Sequence, residues 1–128
     1  MSAERTRTVA AFDALVQVLR AARDEMDGLA ERATQTRERV ASGVVLSEFV
    51  ADEPRPLIIT RMTELLDALS DAAAEVRRAE AHQLRGEGLS HERIAQLFGV
   101  TRQRAAALLS PPPAPHARAA KRPHRREG

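Results

Sequence analysis

The sequence predicts an all-α protein, with a long amphipathic helical hairpin, a smaller helical unit after it and a disordered basic tail. Aromatic residues make up only 2% of the 128 residues, with three Phe and no Tyr or Trp, whereas β-sandwiches and barrels draw on aromatic and β-branched residues. Apolar residues recur at alternating spacings of three and four along two long stretches, which is the period of packed helices. Glycine and proline clusters separate these stretches.

The first long helix is predicted between Phe12 and Val40, because apolar or small residues occupy one face throughout. This apolar stripe consists of Phe12, Leu15, Leu19, Ala22, Met26, Leu29, Ala33, Thr36 and Val40. At the rise of an α-helix, the stripe would be roughly 42 Å long. Ser42 and Gly43 then stop the helix.

A short segment follows at residues 44–53 and is expected to hold one helical turn. Ser47 is expected to cap that turn, with Phe49 or Val50 turned inward. Residues 54–56, Pro-Arg-Pro, end it because proline cannot continue a helix.

The second long helix is predicted to begin near Leu57, where Pro56 suits the first helical position. Its apolar stripe repeats the same spacing and consists of Ile58, Met62, Leu65, Leu69, Ala72 and Val76, widened by Leu66 and Ala73. The helix continues to Leu84 or Arg85. Residues 86–88, Gly-Glu-Gly, then break it, with one glycine in the left-handed conformation that closes a helix.

Two long amphipathic helices cannot each bury an apolar stripe alone. They must fold on each other as a hairpin, pair with a second copy, or do both. We favour both, which makes residues 1–76 an acidic helical hairpin and the dimerisation region of a homodimer. The alternative is a monomeric hairpin with a small core.

Charge is distributed unevenly along a chain whose formal net charge is only +2. Residues 1–76 contain nine Arg and fourteen acidic residues, a balance of −5. Residues 77–110 contain six Arg and three Glu, a balance of +3, and residues 111–128 add +4. This asymmetry predicts a negatively charged partner, for which nucleic acid is the obvious candidate. The proline-rich basic tail at 111–128 is expected to be disordered.

Residues 89–109 have the pattern of a short helix, a glycine turn and a second short helix. Ser90 caps the first helix, and Gly99 supplies the tight turn. Thr101 caps the second helix, which ends before Pro111. The positions expected to face the core are Ile94, Ala95, Phe98, Val100, Ala105, Leu108 and Leu109.

This stretch resembles the helix-turn-helix of bacterial DNA-binding proteins, especially the three-helix form of resolvases and of the C-terminal region of sigma factors. The resemblance rests on the run Ile-Ala-Gln-Leu-Phe-Gly-Val-Thr-Arg-Gln at 94–103. Ala95 matches the small residue where the two helices cross, and Gly99 matches the turn glycine. Ala105 departs from the pattern, since the family usually has Val or Ile there. Either the helices approach more closely or the motif is less stable.

The resemblance implies that residues 77–110 form a DNA-binding domain whose second short helix enters the major groove. The DNA-contact positions are Thr101, Arg102, Gln103, Arg104, Ala106 and Ala107. Arg102 is expected to donate two hydrogen bonds to guanine, and Gln103 to pair with adenine. The Thr101 hydroxyl and the Arg104 side chain suit phosphate.

Other side chains are candidates for phosphate contact only. These are Ser90, His91, Arg77, Arg78, Lys121, Arg122, Arg125 and Arg126. For Arg77 and Arg78 the alternative is an ion pair with Glu75 or Glu80.

Several protein classes are disfavoured. The absence of Cys removes disulfides, thiolate metal sites and cysteine nucleophiles. The run from His91 opens like a zincin helix, but Ala95 stands where the second His is required. We therefore expect no enzymatic activity, metal or cofactor. No apolar run approaches the roughly 18 residues of a membrane span. The first residues lack the apolar core of a signal peptide, so we expect a cytoplasmic, nucleoid-associated protein without membrane contact.

The sequence thus predicts a small bacterial transcriptional regulator that binds double-stranded DNA and has no recognisable ligand pocket. Two alternatives stay open. One is an architectural, nucleoid-coating protein for which the DNA sequence hardly matters. The other is a protein-interaction module that docks to RNA polymerase or to another regulator.

Overall fold

The computed structural model describes residues 2–111 and contains five helices over that range. They are α1 (Ala3–Ala41), α2 (Leu46–Asp52), α3 (Ile58–Gly86), α4 (His91–Phe98) and α5 (Arg102–Leu109). No strand occurs between residues 2 and 111, so the all-α fold class is confirmed. The disorder predicted for the basic tail concerns residues that, after Pro111, lie outside the described range.

The chain divides into two compact units. The first, called here the hairpin unit, comprises Met1–Ala79, and the second, the C-terminal unit, begins at Glu80. The sequence placed this division after residue 76, and the helix α3 contributes residues to both units.

Local capping fixes both ends of α1. The Ser2 hydroxyl accepts a hydrogen bond from the Arg5 backbone N–H at 3.1 Å, so the helix begins well before the apolar stripe does. At the other end Gly43 has a φ of +86°. The Val44 N–H then reaches back to the Arg39 carbonyl at 3.3 Å, which is how a left-handed glycine closes a helix. The predicted stop at Ser42 and Gly43 is confirmed.

The short helix α2 exists, but the prediction that Ser47 caps it is wrong. Its N-terminal cap is Val45, whose side chain makes no capping hydrogen bond. Phe49 is the residue turned inward, and the Arg39 guanidinium lies 5.9 Å from the centre of its ring, within reach of a cation–π interaction. Val50 is 37% exposed.

The helices α1 and α3 pair in antiparallel orientation within one chain. Glu25 and Arg61 form an ion pair between them, and the Thr8 hydroxyl donates to the Ala79 carbonyl at 3.4 Å. Near the loop, the Arg32 guanidinium donates to the carbonyls of Pro54 and Pro56, both at 3.1 Å. The prediction that the two long helices fold on each other as a hairpin is therefore confirmed.

The face that α1 turns toward α3 is only partly the predicted one. Ala22 is buried, and Leu15, Leu29 and Thr36 are half-buried, as predicted. The other inward row is Ala11, Val18, Glu25 and Arg32. The residues predicted for that row, namely Phe12, Leu19, Met26, Ala33 and Val40, are exposed. This half of the prediction is wrong because the α3 register brings Arg61 opposite Glu25, which lies one residue before Met26.

On α3 the predicted stripe is largely correct. Leu65 and Val76 are buried, and Ile58, Leu69 and Ala72 are half-buried. Met62, predicted to face inward, is 43% exposed, and Leu66 is 55% exposed. Arg61 takes the inward position instead, because its guanidinium donates to Glu25 on α1 and to Glu64 on its own helix.

The C-terminal unit has its own small core. Ala81, Ile94 and Ala105 have no exposed surface, and Ala95 and Leu108 are 5% exposed. Around this core pack the half-buried residues Leu84, Leu89, Phe98 and Leu109. Five of these nine side chains are large aliphatic residues and three are alanines, so the helices lie close together.

The prediction for Val100 is also wrong. It was predicted to point into the core, but its side chain is 38% exposed. Its backbone N–H donates to the Ala95 carbonyl at 3.0 Å, so Val100 belongs to the turn that closes α4 and only part of it contacts the core.

The hairpin unit also contains a cleft of about 580 Å³ between the C-terminal end of α1 and α2, whereas no ligand pocket was predicted. Charged side chains line much of it, including Arg32, Arg39, Glu48 and Asp52. Both arginines already have partners, in the two proline carbonyls and in the Phe49 ring. No helix between residues 2 and 111 has the length and apolarity of a membrane span.

Candidate nucleic-acid interface

The turn between α3 and α4 is held by backbone geometry. Gly88 has a φ of +99°, and the Leu89 N–H donates to the Leu84 carbonyl at 3.1 Å. Of the glycines at 86 and 88, Gly88 is therefore the left-handed one. The Arg85 guanidinium donates to the Leu89 carbonyl at 2.8 Å, which ties the last turn of α3 to the start of the next segment.

The helix α4 begins with the predicted cap. The Ser90 side-chain oxygen accepts a hydrogen bond from the Arg93 N–H at 3.1 Å, and Glu92 lies in the first turn, where the helix dipole favours an acid. The hydroxyl proton of Ser90 is not used in this bond, so the group keeps its capacity to donate. His91, beside it, is half-buried.

The turn between α4 and α5 is equally well defined. Gly99 adopts the left-handed conformation, with φ 67° and ψ 33°, and its N–H donates to the Gln96 carbonyl at 3.2 Å. Thr101 then caps α5, because its side-chain oxygen accepts from the Arg104 N–H at 3.0 Å. These bonds fix the direction in which α5 leaves α4.

The contact positions predicted on α5 lie mainly on its exposed side. Arg102, Gln103, Arg104 and Ala107 are exposed, and Ala106 is half-buried. The opposite side is buried through Ala105 and Leu108. Since residues four apart share a helix face, Gln103 and Ala107 lie together on the outward face. Thr101 is exposed at its N-terminal end.

The first turn of α5 differs electrostatically from those of α1, α2 and α4, although α3 also begins without an acid. The first turns of α1, α2 and α4 contain Glu4, Glu48 and Glu92, respectively, which the positive end of a helix dipole favours. The first turn of α5 contains no acid but has Arg102 and Arg104. From residue 93 to residue 111 the chain has no Asp or Glu at all. Two cations at the positive end of a helix favour the approach of an anion.

The remaining phosphate candidates lie outside the described part of the C-terminal unit. Arg77 and Arg78 belong to the hairpin unit. Arg78 donates to the Glu75 carboxylate at 2.8 Å, which is the ion pair considered as the alternative to phosphate contact. Lys121, Arg122, Arg125 and Arg126 lie outside the described residues.

Two features of this unit were not predicted as functional. Arg93 is exposed on α4, where its guanidinium donates to the Gln96 side chain at 3.1 Å. Leu97 is 51% exposed. Helical spacing would have found Leu97, because it falls outside the face shared by Ile94, Ala95 and Phe98.

Comparison with known proteins gives no relative for this chain. No family model matches it, and no curated protein or solved structure is similar to it. The resemblance to a helix-turn-helix therefore depends on the residues at 94–103 and on the capped, tightly turned pair of helices that contains them.

Proposed function

We propose that the C-terminal unit binds double-stranded DNA with α5 in the major groove, and that the protein is a small transcriptional regulator working in the cytoplasm at the nucleoid. The observation that carries this proposal is the first turn of α5, where Arg102 and Arg104 lie exposed without any nearby acid in the sequence. This arrangement opposes the helix dipole in the free protein, and a phosphate backbone would relieve that repulsion.

The exposed side chains of α5 divide between base and backbone contacts. Arg102 can donate two hydrogen bonds to guanine, and Gln103 can make a two-point contact with adenine. Arg104 projects to one flank of the helix and suits phosphate. The Thr101 oxygen is occupied by the Arg104 N–H, but its hydroxyl proton is free to donate to a phosphate oxygen.

The outward alanines support a close approach. Ala106 and Ala107 contribute only methyl groups to the outer surface of α5, so the helix is slim on that side. A major groove about 12 Å wide admits an α-helix, and a slim one can lie deep enough for Arg102 and Gln103 to reach base edges. The methyl groups themselves suit contact with thymine.

The experiment that tests this function is selection of bound fragments from sheared genomic DNA at about 150 mM salt, which screens weak phosphate contacts. We expect an enriched sequence motif. Two half-sites about 10 bp apart are expected if two copies bind together. Failure to recover any DNA, even at low salt, would contradict the proposal.

Variants then assign roles on the selected site. Arg102→Ala should lose about 1–3 kcal/mol of binding free energy at that site and relax the sequence preference. Arg104→Ala should weaken binding to all DNA sequences alike, and the salt dependence of binding should fall by the contribution of about one phosphate contact. Arg7→Ala removes an exposed arginine from α1 and is the matched control. An Arg102→Ala effect equal on every sequence would favour the architectural, nucleoid-coating role.

A specific observation also supports a protein-contact role as the second candidate. Leu97 and Val100 are 51% and 38% exposed within the C-terminal unit, and exposed apolar side chains of this size suit a protein partner such as RNA polymerase or another regulator. Leu97→Ser should then abolish capture of the polymerase by the full chain while leaving DNA recovery unchanged. Loss of DNA recovery without any effect on capture would contradict this second role.

A further inference from the structure

One side of the hairpin unit carries a row of exposed apolar side chains on both long helices, interrupted on α1 by Arg23. We call it the apolar side. Its eight members are Val9, Phe12, Val16, Leu19 and Met26 on α1 and Ile59, Met62 and Leu66 on α3. Each of these side chains is between 41% and 66% exposed.

All eight residues lie on the same side for a geometric reason. Each follows directly after a residue that faces the partner helix, as Phe12 follows Ala11 on α1 and Met62 follows Arg61 on α3. One residue further along a right-handed helix is a rotation of about 100° in a fixed sense. When two helices run antiparallel and face each other, that rotation carries both rows to the same side of the pair.

The other side of the hairpin lacks such a row on α1. There, the positions directly before the inward residues Thr8, Leu15, Ala22 and Leu29 are Arg7, Ala14, Ala21 and Gly28. The apolar face of α1 is therefore wider than contact with α3 alone requires, and the additional apolar residues lie on one side only. The sequence-based prediction had assigned this face of α1 to the contact with α3.

The size of the apolar side matches a protein interface. Eight large side chains at these exposures leave on the order of 700 Å² open to water, whereas each partner in a stable complex of ordinary size buries about 800 Å². The largest apolar patch on a typical monomer is about 300–600 Å². A face of this extent needs to be covered.

We propose that a second copy of this chain covers the apolar side, so that two hairpins form a four-helix arrangement related by a two-fold axis. From Val9 to Leu19 on α1 and from Ile59 to Leu66 on α3, the exposed residues repeat at spacings of three and four, which interlock with a helix of the same repeat. A second copy supplies that repeat, and a two-fold axis brings equal areas of the same face together. This inference does not depend on DNA binding.

The charged residues bordering the apolar side are compatible with self-association. Along α1 the border contains Asp13, Arg20 and Asp27, all of them exposed. Arg23 directly follows the buried Ala22 and so lies within the row itself, where it pairs with Asp24 at 3.5 Å. Both signs are present, so a two-fold related copy can place opposite charges across the border. The overall excess of acid in residues 1–76 is therefore not concentrated at the contact, and like-charge repulsion there is small.

The first test measures the mass of the full chain by sedimentation equilibrium from about 1 to 100 μM, a range in which micromolar or tighter pairing is visible. We expect twice the 14.0 kDa of one chain. The variant Leu19→Glu with Leu66→Glu places two carboxylates on the apolar side and should give the mass of one chain. Ala21→Glu introduces the same group on the opposite side of α1, where it should leave the doubled mass unchanged.

Circular dichroism of each variant shows whether the helices persist. If the double variant unfolds, a second measurement leaves the apolar side unchanged. A single introduced Cys can be spin-labelled selectively, because the chain has no Cys of its own. A spin label at Asp27→Cys, on the border of the apolar side, should give a dipolar signal between copies that disappears on dilution with excess unlabelled chain. A wild-type mass of one chain at the highest concentration, an assembly larger than two, or no dipolar signal would each overturn the proposal.

Discussion

The side-chain oxygen of Thr101 accepts a hydrogen bond from the backbone N–H of Arg104 at 3.0 Å. This bond closes the first turn of α5, and the same turn exposes the two arginines on which the proposed function depends. Thr101 thus couples the stability of α5 to the orientation of Arg102 and Arg104. The first prediction tests that coupling.

Replacing Thr101 by Ala should destabilise α5 by about 1 kcal/mol, because a capping oxygen is lost. We expect roughly five-fold less protection of the α5 amides in hydrogen exchange. Thr101→Ser keeps a hydroxyl at the cap and should retain most of the protection. Equal protection in the Thr101→Ala variant and the wild type would contradict a stabilising cap.

Two glycine substitutions should change stability in opposite directions. Gly99 has a φ of +67° and nothing within 4 Å of an added Cβ, so Gly99→Ala should cost about 1–2 kcal/mol through backbone strain alone. Gly28 lies inside α1 with open space around it, so Gly28→Ala should stabilise the hairpin by roughly 0.5–1 kcal/mol.

Urea unfolding of both variants measures these changes. Gly99→Asn provides the control, since Asn tolerates the left-handed conformation better than Ala and should recover part of the loss. The two changes in stability should have opposite signs, and a Gly28→Ala variant less stable than the wild type would contradict the prediction.

The third prediction concerns Ala105, a small residue that α5 contributes to the core of the C-terminal unit. Ala105 has no exposed surface, which favours close approach of the helices over a loosened motif. Ala105→Val, the residue type usual in the resembling family, should therefore overpack the core and cost about 1–3 kcal/mol. Ala107→Val makes the same change on the exposed side and should cost less than about 0.7 kcal/mol. Higher thermal stability of Ala105→Val would indicate a cavity instead.

Salt, and not pH, should modulate the link between α1 and α3. The Glu25 carboxylate, and then the Glu64 carboxylate, raise the pKa of Arg61 above its ordinary value by accepting its hydrogen bonds. A raised pKa means that the stabilisation is fully present below the ordinary arginine value and is lost only as pH rises through the folded value. Arg61 therefore stays charged throughout the pH range over which the variant is compared with the wild type.

The melting temperature of Arg61→Met should fall below that of the wild type by the same amount from about pH 6 to pH 9. The gap should narrow at high salt, because the ion pair is partly exposed. Arg20→Met, on the exposed side of α1, provides the control. A gap that widens steadily with pH would show that another titrating group carries the contact.

The helix ends could be predicted from the sequence because the groups that form them are neighbours in the chain. Ser90 and Thr101 each bond to an N–H three residues on, and Gly43, Gly88 and Gly99 adopt the left-handed conformation that closes a helix. The prediction for Ser47 was wrong because Val45 already ends the preceding turn, so α2 starts before Ser47 can cap it. In the C-terminal unit, the exposure of Arg102, Gln103 and Arg104 followed from helical spacing around Ala105 and Leu108.

The sequence by itself determined the fold class, the caps and turns, and the composition of the exposed α5 surface, because all of these depend on local chemistry and helical period. The tertiary structure decided which of two rows on α1 faces α3, the apolar row that contains Phe12 or the mixed row that contains Ala11 and Glu25. Both rows have the right period, so only the antiparallel register that pairs Glu25 with Arg61 distinguishes them. That register leaves Phe12, Leu19 and Met26 exposed, and a second copy of the chain is the partner that we propose for them.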